Sequence, residues 1–306
     1  MRTRSAGSHI LAFQSIVQHP RHLLQYRRSI NTRTPLPYSL ELMATMDAPA
    51  SERNKVPICE ALTANGMFLS RSSNPISVLE VAAGAGVHSV YMTENLSKAG
   101  FNLESWLPTD PDELSRVSTD QRVSEGSEVV KSKVRPSLPL TLGPNGANEG
   151  IWAEGDLRSA SFDVIYNVNM IHISPWSATA GLMKMAGERL SVGGSLVIYG
   201  PFAVDGEMCE SNRKFDESLR SRNTSWRVRN LEDVASKAEA NGMKMVSKVR
   251  QGRAGLGRRE MCTPFSRSLS LSLSNPRSAR DASEQPSCRV LQGWGGAGGV
   301  VVDRKQ

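Results

Sequence analysis

The chain has 306 residues, of which 39% are hydrophobic and 22% charged, and its formal net charge is +7. This length is enough for one large domain or two small domains with a buried core. No apolar run approaches the roughly 20 residues that a membrane helix needs, so the composition excludes a transmembrane protein.

The positive charge is concentrated at the two ends of the chain. Residues 1–50 carry six arginines against two acidic residues, and residues 251–306 carry nine basic against four acidic residues. Subtracting both ends from the total leaves residues 51–250 with a net charge of −2. Because nucleic-acid binding requires a basic surface on the folded part of a protein, we do not expect DNA or RNA as a partner.

The four cysteines indicate neither a metal centre nor a disulfide framework. Cys59, Cys209, Cys262 and Cys288 are far apart, form no CxxC pair and have no histidine at metal-ligand spacing. We therefore expect free thiols in a reducing compartment and no bound metal ion.

The first 40 residues contain six arginines, many serines and no acidic residue. This amphipathic, Arg-rich composition is typical of an organellar transit peptide, and it lacks the apolar core of a secretory signal. A disordered leader, or translation from upstream of the functional start, is the alternative. Residues 1–50 are therefore predicted to be a disordered or transit-peptide-like leader. The expected location is cytoplasmic, or mitochondrial or plastid if the leader is a transit peptide.

Between residues 51 and 250, apolar strands alternate with helical stretches. Segment 51–69 predicts a helix with Ser51 as its N-cap, and segment 77–82 predicts a short buried strand that ends at glycines. Further strands are predicted at 102–107, 137–142, 162–168, 195–200 and 243–249, and further helices at 87–100, 176–190 and 231–242. This alternation indicates right-handed crossovers and a mainly parallel sheet covered on both faces. The predicted fold class is α/β, with a doubly wound architecture.

The composition changes after Arg250 and becomes rich in Ser, Pro, Gly and Arg. Such a sequence buries too little apolar surface to offset the entropy of ordering it. Residues 251–306 are therefore predicted to be a low-complexity, mostly disordered tail. Strict alternation of Ser and Leu at 266–274 is the exception, because it is compatible with one edge strand.

A glycine-rich turn joins the first predicted strand to the next helix, where doubly wound folds bind nucleotides. It reads EVAAGAG, from Glu80 to Gly86. Gly84 and Gly86 allow the backbone to approach a ligand closely, and the following helix offers free N–H groups. The third glycine of GxGxxG is missing and no GK[ST] follows, which disfavours a dinucleotide or P-loop site. The shorter turn suits S-adenosylmethionine (SAM), which has no pyrophosphate, and a turn without any ligand is the alternative.

An acidic residue follows the second predicted strand. Asp110 lies where a carboxylate can accept hydrogen bonds from ribose hydroxyls. Alternatively, Asp110, Pro111 and Asp112 form a helix cap with proline in the first turn. Together with the glycine turn, Asp110 favours a ligand that contains a nucleoside.

Polar residues also lie at the ends of the fourth and fifth predicted strands. Asn167, Asn169 and His172 lie at the carboxyl edge of the fourth strand, where open α/β sheets bind ligands. His172 is the predicted base for methyl transfer, because the unperturbed pKa of histidine is near neutrality. Tyr199 is predicted to line the acceptor pocket. The alternatives are that His172 and Ser174 only cap the next helix and that Tyr199 only packs in the core.

Four arginines follow the fifth strand, and they could bind an anionic substrate: Arg220, Arg222, Arg227 and Arg229. We favour the interpretation that they lie on a solvated helix face and pair with nearby acids, namely Glu217, Glu232 and Asp233.

Several segments of this region resemble one family. They read SERNK, LEVAAGAGVHSVY, WLPTDPD, NVNMIHISPW, LVIYGPF and SNRKFDESLRSRNTSWRVRNLEDV. They are similar to methyltransferase-like protein 26 and its bacterial relatives, over residues 51–250. The resemblance implies a Rossmann-like class I SAM-dependent methyltransferase domain at 51–250, with SAM as cofactor and an acceptor that the family does not settle.

The turn and the resemblance together define a predicted site. The predicted cofactor-binding residues are Glu80, Ala82, Gly84, Gly86, His88, Asp110 and Asn167. The predicted catalytic residues, facing the acceptor, are Asn169, His172 and Tyr199. The first hypothesis is a SAM-dependent methyltransferase that acts on a small-molecule or protein acceptor. The alternatives are a non-catalytic binding or scaffold protein with a SAM fold, and an NAD-dependent oxidoreductase.

The chain departs from the family pattern at three places. It carries Leu142, Gly143 and Pro144 where relatives place an acidic residue that is an expected adenine contact. The turn reads AAGAG where SGTG is usual. Relatives end with a β-hairpin strand, whereas this chain continues into its low-complexity tail, so the C-terminal strand pair is predicted to be incomplete and its edge exposed. The first and third departures favour the non-catalytic alternative.

Overall fold

The computed structural model describes residues 49–64, 75–147, 152, 155–250, 291–292 and 297–304. The strands are β1 (Ile76–Val81), β2 (Leu103–Thr109), β3 (Phe162–Val168), β4 (Leu190–Ala203), β5 (Arg229–Asn230), β6 (Met243–Arg250), β7 (Leu291–Gln292) and β8 (Ala297–Arg304). The helices are α1 (Pro49–Ala64), α2 (Val87–Lys98), α3 (Glu113–Ser124), α4 (Glu128–Lys133), α5 (Gly155–Ser159), α6 (Trp176–Arg189), α7 (Glu210–Arg222) and α8 (Leu231–Glu239). A short 3-10 helix, Ile171–Ile173, follows β3.

The strands form one sheet in the order β2-β1-β3-β4-β8-β6-β7, with the short β5 beside β4. The neighbours β2, β1, β3 and β4 are parallel, and β8 is antiparallel to both β4 and β6. The chain leaves β1 toward β2 and returns on the other side of β1 as β3. Strand order therefore reverses between β1 and β3, and such a switch point opens a cleft outside the carboxyl ends of the strands. The predicted α/β class with a doubly wound, mainly parallel sheet is confirmed.

Helices cover both faces of the sheet, because alternate residues of each strand point to opposite sides. On one side Leu79 of β1 belongs to the same apolar cluster as Leu182 of α6. On the other side Val78 belongs to a second cluster with Ile58 of α1 and Met92 of α2. The two clusters fix β1 on both faces, and so they fix the position of the turn that follows it.

The first helix begins earlier than its sequence pattern predicts. α1 starts at Pro49, so Ser51 lies inside the first turn and is not the N-cap. Proline is favoured in the first turn of a helix because its missing N–H would have no partner there. The last part of the predicted helix, residues 65–69, lies outside the described residues.

The strand predicted at 137–142 is not continuous. One isolated parallel bridge, made by Leu138, attaches this segment to β2, and a second one, made by Val134, lies just before the segment. Pro136 and Pro139 have no N–H to donate, so a regular hydrogen-bond ladder cannot run through them. The segment follows the edge of the sheet without forming a strand.

The C-terminal strand pair that was predicted to be incomplete is complete. β8 lies between β4 and β6, with Val301 opposite Val197 and Val302 opposite Met245. The apolar run that forms β8 is short and follows glycines, and no strand was predicted from it. The edge strand predicted at 266–274 lies outside the described residues.

Candidate functional site

The turn after β1 has an unusual backbone. Ala82, Gly84 and Gly86 have φ values of 59°, 58° and 78°, all in the left-handed region that favours glycine. A Cβ placed on Gly86 would lie 2.7 Å from Cα of Thr119, whereas a Cβ on Gly84 meets no heavy atom within 4 Å. Gly86 is therefore needed for packing against α3, and Gly84 leaves space for another molecule.

Two side chains of α3 hold this turn. Oγ1 of Thr119 donates to the carbonyl of Gly84 at 3.0 Å, and Nε of Arg122 donates to the carbonyl of Ala85 at 3.1 Å. These contacts join residues that are 35 and 37 positions apart. Neither residue is predicted from the sequence, because no local pattern signals contacts over this separation.

Asp110 lies directly beside the turn. Its Oδ2 accepts the N–H of Gly84 at 3.0 Å, and its Oδ1 accepts the N–H of Asp112 at 2.9 Å. The residue is 8% exposed, and burial raises the pKa of its carboxyl against the opposing effect of these two hydrogen bonds. Each carboxylate oxygen keeps acceptor capacity for one further donor. Asp112, whose Oδ2 accepts the N–H of Ser115, is the N-cap of α3, so Asp110 is not the cap.

Asn167 lies next to the turn on the other side of β1. It is fully buried in β3 opposite Val81, and its Nδ2 donates to the carbonyl of Val81 at 3.0 Å. Within the described part of the chain, its Oδ1 has no hydrogen-bond partner. A buried acceptor without a partner is unfavourable, so this oxygen is suited to a donor from outside the protein. The structure thus brings the turn, Asp110 and Asn167 together at one edge of the sheet.

Glu80 is not at the open side of this site. Its buried Oε2 accepts hydrogen bonds from Oγ of Ser89 at 2.5 Å and from Nε1 of Trp106 at 2.6 Å. Burial raises the pKa of Glu80 to about 7, despite these two hydrogen bonds. The side chain points into the core behind the turn, so its predicted direct contact with a cofactor does not match the structure.

His88 is enclosed in the same core. Its Nδ1 lies 2.7 Å from Oη of Tyr166, and its Nε2 lies 2.9 Å from Oδ1 of Asn54 in α1. Because an amide oxygen only accepts, Nε2 carries the proton and Nδ1 accepts from the tyrosine. Burial, and then the charge of Lys55, lowers the pKa of His88 to about 3, so the ring is neutral. Its predicted role in cofactor binding is therefore replaced by a structural one, which connects α1 to β3.

The three predicted catalytic side chains do not converge on one point. Tyr199 lies in the apolar cluster under α1, where burial raises its pKa to about 12 against the effect of a hydrogen bond with Asn54. A Cβ on the next residue, Gly200, would lie 3.4 Å from Nδ1 of His172. Neighbouring strand residues point to opposite faces, so His172 and Tyr199 lie on opposite sides of β4. Asn169, with φ of 58°, connects to Tyr199 through its backbone N–H, which donates to the tyrosine carbonyl at 2.8 Å.

The environment of His172 differs from the one assumed in predicting it as a base. The ring is buried and packs edge-on against Phe215, with centroids 5.4 Å apart. Burial, followed by the charges of Arg222 and Arg229, lowers its pKa to about 4. The argument from a near-neutral pKa is therefore wrong for this histidine. The capping alternative is not observed either, because Pro175 is the N-cap of α6 and no side chain caps that helix.

The segment that replaces the expected acidic adenine contact packs against α6. A Cβ on Gly181 would lie only 2.1 Å from the carbonyl oxygen of Gly143. Leu142 packs against the apolar cluster on the same side of the sheet. This region provides apolar surface and backbone rather than a carboxylate.

The described residues were also compared with the requirements of a metal site, a disulfide and a membrane helix. Within the described ranges, no group of three or more His, Cys, Asp or Glu residues could hold a metal ion. Cys59 and Cys209 take part in no disulfide within those ranges, and Cys262 and Cys288 lie outside them. None of the helices in the described part of the chain is long and apolar enough to cross a membrane.

The sheet order, the glycine turn and the switch point between β1 and β3 define a Rossmann-like protein. The SAM-dependent methyltransferase SibL in its apo form is 14% identical with a TM-score of 0.50, over 81% of this chain and 55% of that chain. An O-methyltransferase family protein from Burkholderia thailandensis is 11% identical with a TM-score of 0.48, over 94% and 70% of the two chains. Magnesium protoporphyrin IX methyltransferase from Synechocystis, solved with bound S-adenosylhomocysteine (SAH), is 9% identical with a TM-score of 0.46, over 94% and 95%. The match spans about half the length of SibL, and it shows that the fold is the Rossmann-like fold of methyltransferases.

Residues 45–252 match the family described as "Protein of unknown function (DUF938)". This match covers more than half of the chain. The chain therefore belongs to the DUF938 family.

Proposed function

We propose that this protein binds SAM at the carboxyl edge of β1, β2 and β3 and transfers its methyl group to a small-molecule or protein acceptor. The proposal depends mainly on the open space beside Gly84, next to the carboxylate of Asp110. The backbone N–H of Gly84 donates a hydrogen bond of 3.0 Å to that carboxylate. As part of the same proposal, the chain is a relative of methyltransferase-like protein 26, on the sequence segments quoted above.

Each part of the edge has a role in this proposal. The space at Gly84 would accommodate the ligand against bare backbone, and the remaining acceptor capacity of Asp110 would bind the ribose hydroxyls. The unpartnered Oδ1 of Asn167 would accept a hydrogen bond from the amino group of the methionine part. Ala82 and Gly86 would shape the turn without contacting the ligand through side chains.

Methyl transfer makes modest chemical demands on these residues. Bound SAM supplies a methyl group that is already activated on a sulfonium, so the protein has mainly to align the acceptor. At pH 7 the ring of His172 is neutral, and its unprotonated nitrogen could take a proton from a strongly polarised acceptor. Asn169 would help to position the acceptor. Tyr199 faces α1, on the opposite face of the sheet from His172, and would stabilise this edge by packing there.

Calorimetric titration of the full chain with SAM, SAH and NAD tests the proposal. We expect one SAM or SAH bound per chain and no heat with NAD. In Gly84→Val the affinity for SAM should fall at least tenfold, because a branched Cβ would enter the space of the ligand. Gly100→Val is a matched control, because Gly100 also has a left-handed φ, of 86°, and open space around it, but it follows α2 at the other end of that helix.

The possible outcomes separate the hypotheses. Neither heat nor a thermal shift with millimolar SAM would remove the methyltransferase hypothesis, and heat with NAD would indicate the oxidoreductase. An equal loss of SAM affinity in both glycine variants would show that the turn is only structural. SAM binding without transfer to any acceptor would favour the non-catalytic protein, an alternative supported by the missing acidic residue at Leu142 and Gly143 but no longer by an incomplete sheet.

A further inference from the structure

Arg229 is a buried cation, and Asp216 is the carboxylate whose charge acts on it. It is the first residue of β5 and is only 9% exposed. Among the described residues it forms no ion pair, although six other ion pairs of Lys or Arg are present there. A buried charge is unfavourable unless it is paired and hydrogen-bonded, so Arg229 differs from an ordinary surface arginine.

The hydrogen bonds of Arg229 use only part of its guanidinium. Nη2 donates to the carbonyls of Ser174 and Ser225, both at 2.8 Å, and the group lies 5.6 Å from the ring centroid of Trp176. Within the described part of the chain, Nε has no hydrogen-bond partner, and no bond involves Nη1. A guanidinium has five N–H groups in a rigid planar arrangement, and the N–H of Nε is the one that is buried without a partner among the described residues.

Arg229 lies at the same carboxyl edge as the candidate site. β5 pairs with the end of β4 at Phe202, beyond Tyr199, and the backbone N–H of Arg227 donates to the carbonyl of His172 at 3.1 Å. These contacts place Arg229 beside the segment that follows β3, next to the predicted catalytic histidine.

Apolar surface and positive charge adjoin this arginine. Phe215, which packs on His172, is 37% exposed, and Ile173 is 43% exposed. Burial first, and then the charges of Arg222 and Arg229, lower the pKa of His172, so both guanidinium groups lie near this ring. A site of this kind combines an apolar wall with a cation at one end.

The neighbouring acidic residues are engaged elsewhere. Asp216 is buried, accepts the N–H of Val228 at 2.7 Å and pairs with Arg220 at 2.9 Å. Glu232 accepts the backbone N–H of Asp205 at 3.1 Å. The favoured sequence interpretation, a solvated helix face with paired charges, is therefore wrong for Arg229, which is buried and forms no ion pair within the described ranges.

We propose that Arg229 binds the carboxylate of a small acceptor molecule whose apolar part lies against Phe215 and Ile173. A carboxylate oxygen can accept a hydrogen bond from the unpartnered Nε N–H, and its negative charge would compensate the buried cation. The term acceptor rests on the proposed methyl transfer, whereas the carboxylate site itself does not.

Calorimetric titration of the full chain with benzoate, in the presence and absence of SAH, tests this site. Benzoate carries a planar carboxylate on an apolar ring, and benzamide is its neutral control. We expect benzoate to bind wild-type protein at least tenfold more tightly than benzamide. Its affinity should fall at least tenfold in Arg229→Gln and about threefold to tenfold in Arg229→Lys, which keeps the charge but loses the Nε N–H. Arg227→Gln, an exposed arginine with the same change in charge, should change the affinity less than twofold.

Several results would overturn the proposal. These are no benzoate binding to wild-type protein, equal binding of benzoate and benzamide, or an equal loss in the Arg227 and Arg229 variants. Inorganic phosphate that binds ten times more tightly than benzoate would also overturn it, in favour of a phosphate site. If Arg229→Gln does not fold, as thermal denaturation will show, Arg229→Lys and the benzamide comparison decide. Benzoate binding without SAM binding would remove the proposed function and keep the carboxylate site, and the reverse result would remove only this inference.

Discussion

The amide of Gly84 and the carboxylate of Asp110 are joined by a hydrogen bond of 3.0 Å between N and Oδ2. The bond connects the turn after β1 to the end of β2, across 26 positions of sequence. The bond holds the open side of the turn next to the remaining acceptor capacity of Asp110. Preorganisation of this kind reduces the entropy cost of binding.

Asp110→Asn tests the role of this carboxylate. The amide keeps the size of the side chain but has only one oxygen for the N–H groups of Gly84 and Asp112, and its NH₂ group faces one of these donors. We expect SAM affinity to fall at least tenfold and stability to fall by about 1–3 kcal/mol, because a buried donor is left unsatisfied. Asp112→Asn is the matched control, since Asn is also a good N-cap and should leave SAM affinity unchanged. Equal SAM affinity in Asp110→Asn and wild type would exclude Asp110 from the site.

The two glycines of the turn should respond differently to alanine. In Gly86→Ala, the left-handed φ and a Cβ 2.7 Å from Cα of Thr119 should together lower the free energy of unfolding by about 3 kcal/mol. In Gly84→Ala only the backbone conformation is unfavourable, which costs about 1 kcal/mol. Urea denaturation measures both values. Similar costs at the two positions would contradict the packing described for Gly86.

The buried carboxyl of Glu80 makes stability depend on pH. Because burial raises its folded-state pKa from 4.5 to about 7, the folded protein holds this proton more tightly than the unfolded chain. The contribution of this bound proton to the free energy of unfolding is complete below pH 4.5 and is lost as the pH rises to about 7. Glu80→Gln removes this titration and keeps an acceptor for Ser89 and Trp106.

We therefore expect the free energy of unfolding of Glu80→Gln to increase relative to wild type as pH rises, by about 3 kcal/mol between pH 4.5 and pH 8. Comparison with wild type at each pH cancels the contributions of His88 and His172 to the free energy of unfolding, because both proteins contain these residues. Their lowered pKa values make stability rise with pH, which is opposite to the effect of Glu80. Denaturant unfolding at several pH values measures the difference. Parallel pH curves for the two proteins would show that Glu80 is ionised as easily when folded as when unfolded.

The pH dependence of methyl transfer tests the role of His172. With a pKa of about 4, the ring is neutral from pH 6 to pH 8, so wild-type activity should show no inflection from this group in that range. If His172 is the base, His172→Gln should lower kcat about 100-fold or more at every pH between 6 and 8. A wild-type inflection near pH 6.5 that disappears in the variant would mean that the ring is more solvated than the structure shows. An unaltered kcat would remove His172 as the base.

The C-terminal strand should be required for a stable sheet. Removing residues 291–306 deletes β8 from between β4 and β6 and exposes the hydrogen-bonding edges of both strands. We expect a large loss of stability and a tendency to aggregate. In hydrogen exchange, the amides of Leu196, Ile198 and Gly200 are the ones to compare between the truncated and full chains. Unchanged protection there would show that β8 is dispensable.

Local sequence patterns predicted most of the elements. Short apolar runs alternating with helical periodicity fixed the strands around Val78, Val164 and Val197, because each pattern depends on neighbours within a few positions. The glycine turn and Asp110 were predicted as site residues on the same basis, and the structure places them in contact. The proline-interrupted segment at 137–142 shows the limit, since its apolar residues fit a strand that its missing N–H groups prevent.

What the pattern could not provide was the direction and surroundings of individual side chains. Glu80 and His88 adjoin the turn in sequence but point into the core, and Arg229 belongs to an arginine-rich stretch but is buried. β8 pairs with β4 across about 100 positions. From the chain alone follow the α/β alternation, the parallel sheet and the position of its glycine turn, because these depend on local periodicity and backbone preference. Which side chains line the site, and which strand completes the sheet, was fixed by packing between segments far apart in sequence, and no local pattern encodes those contacts.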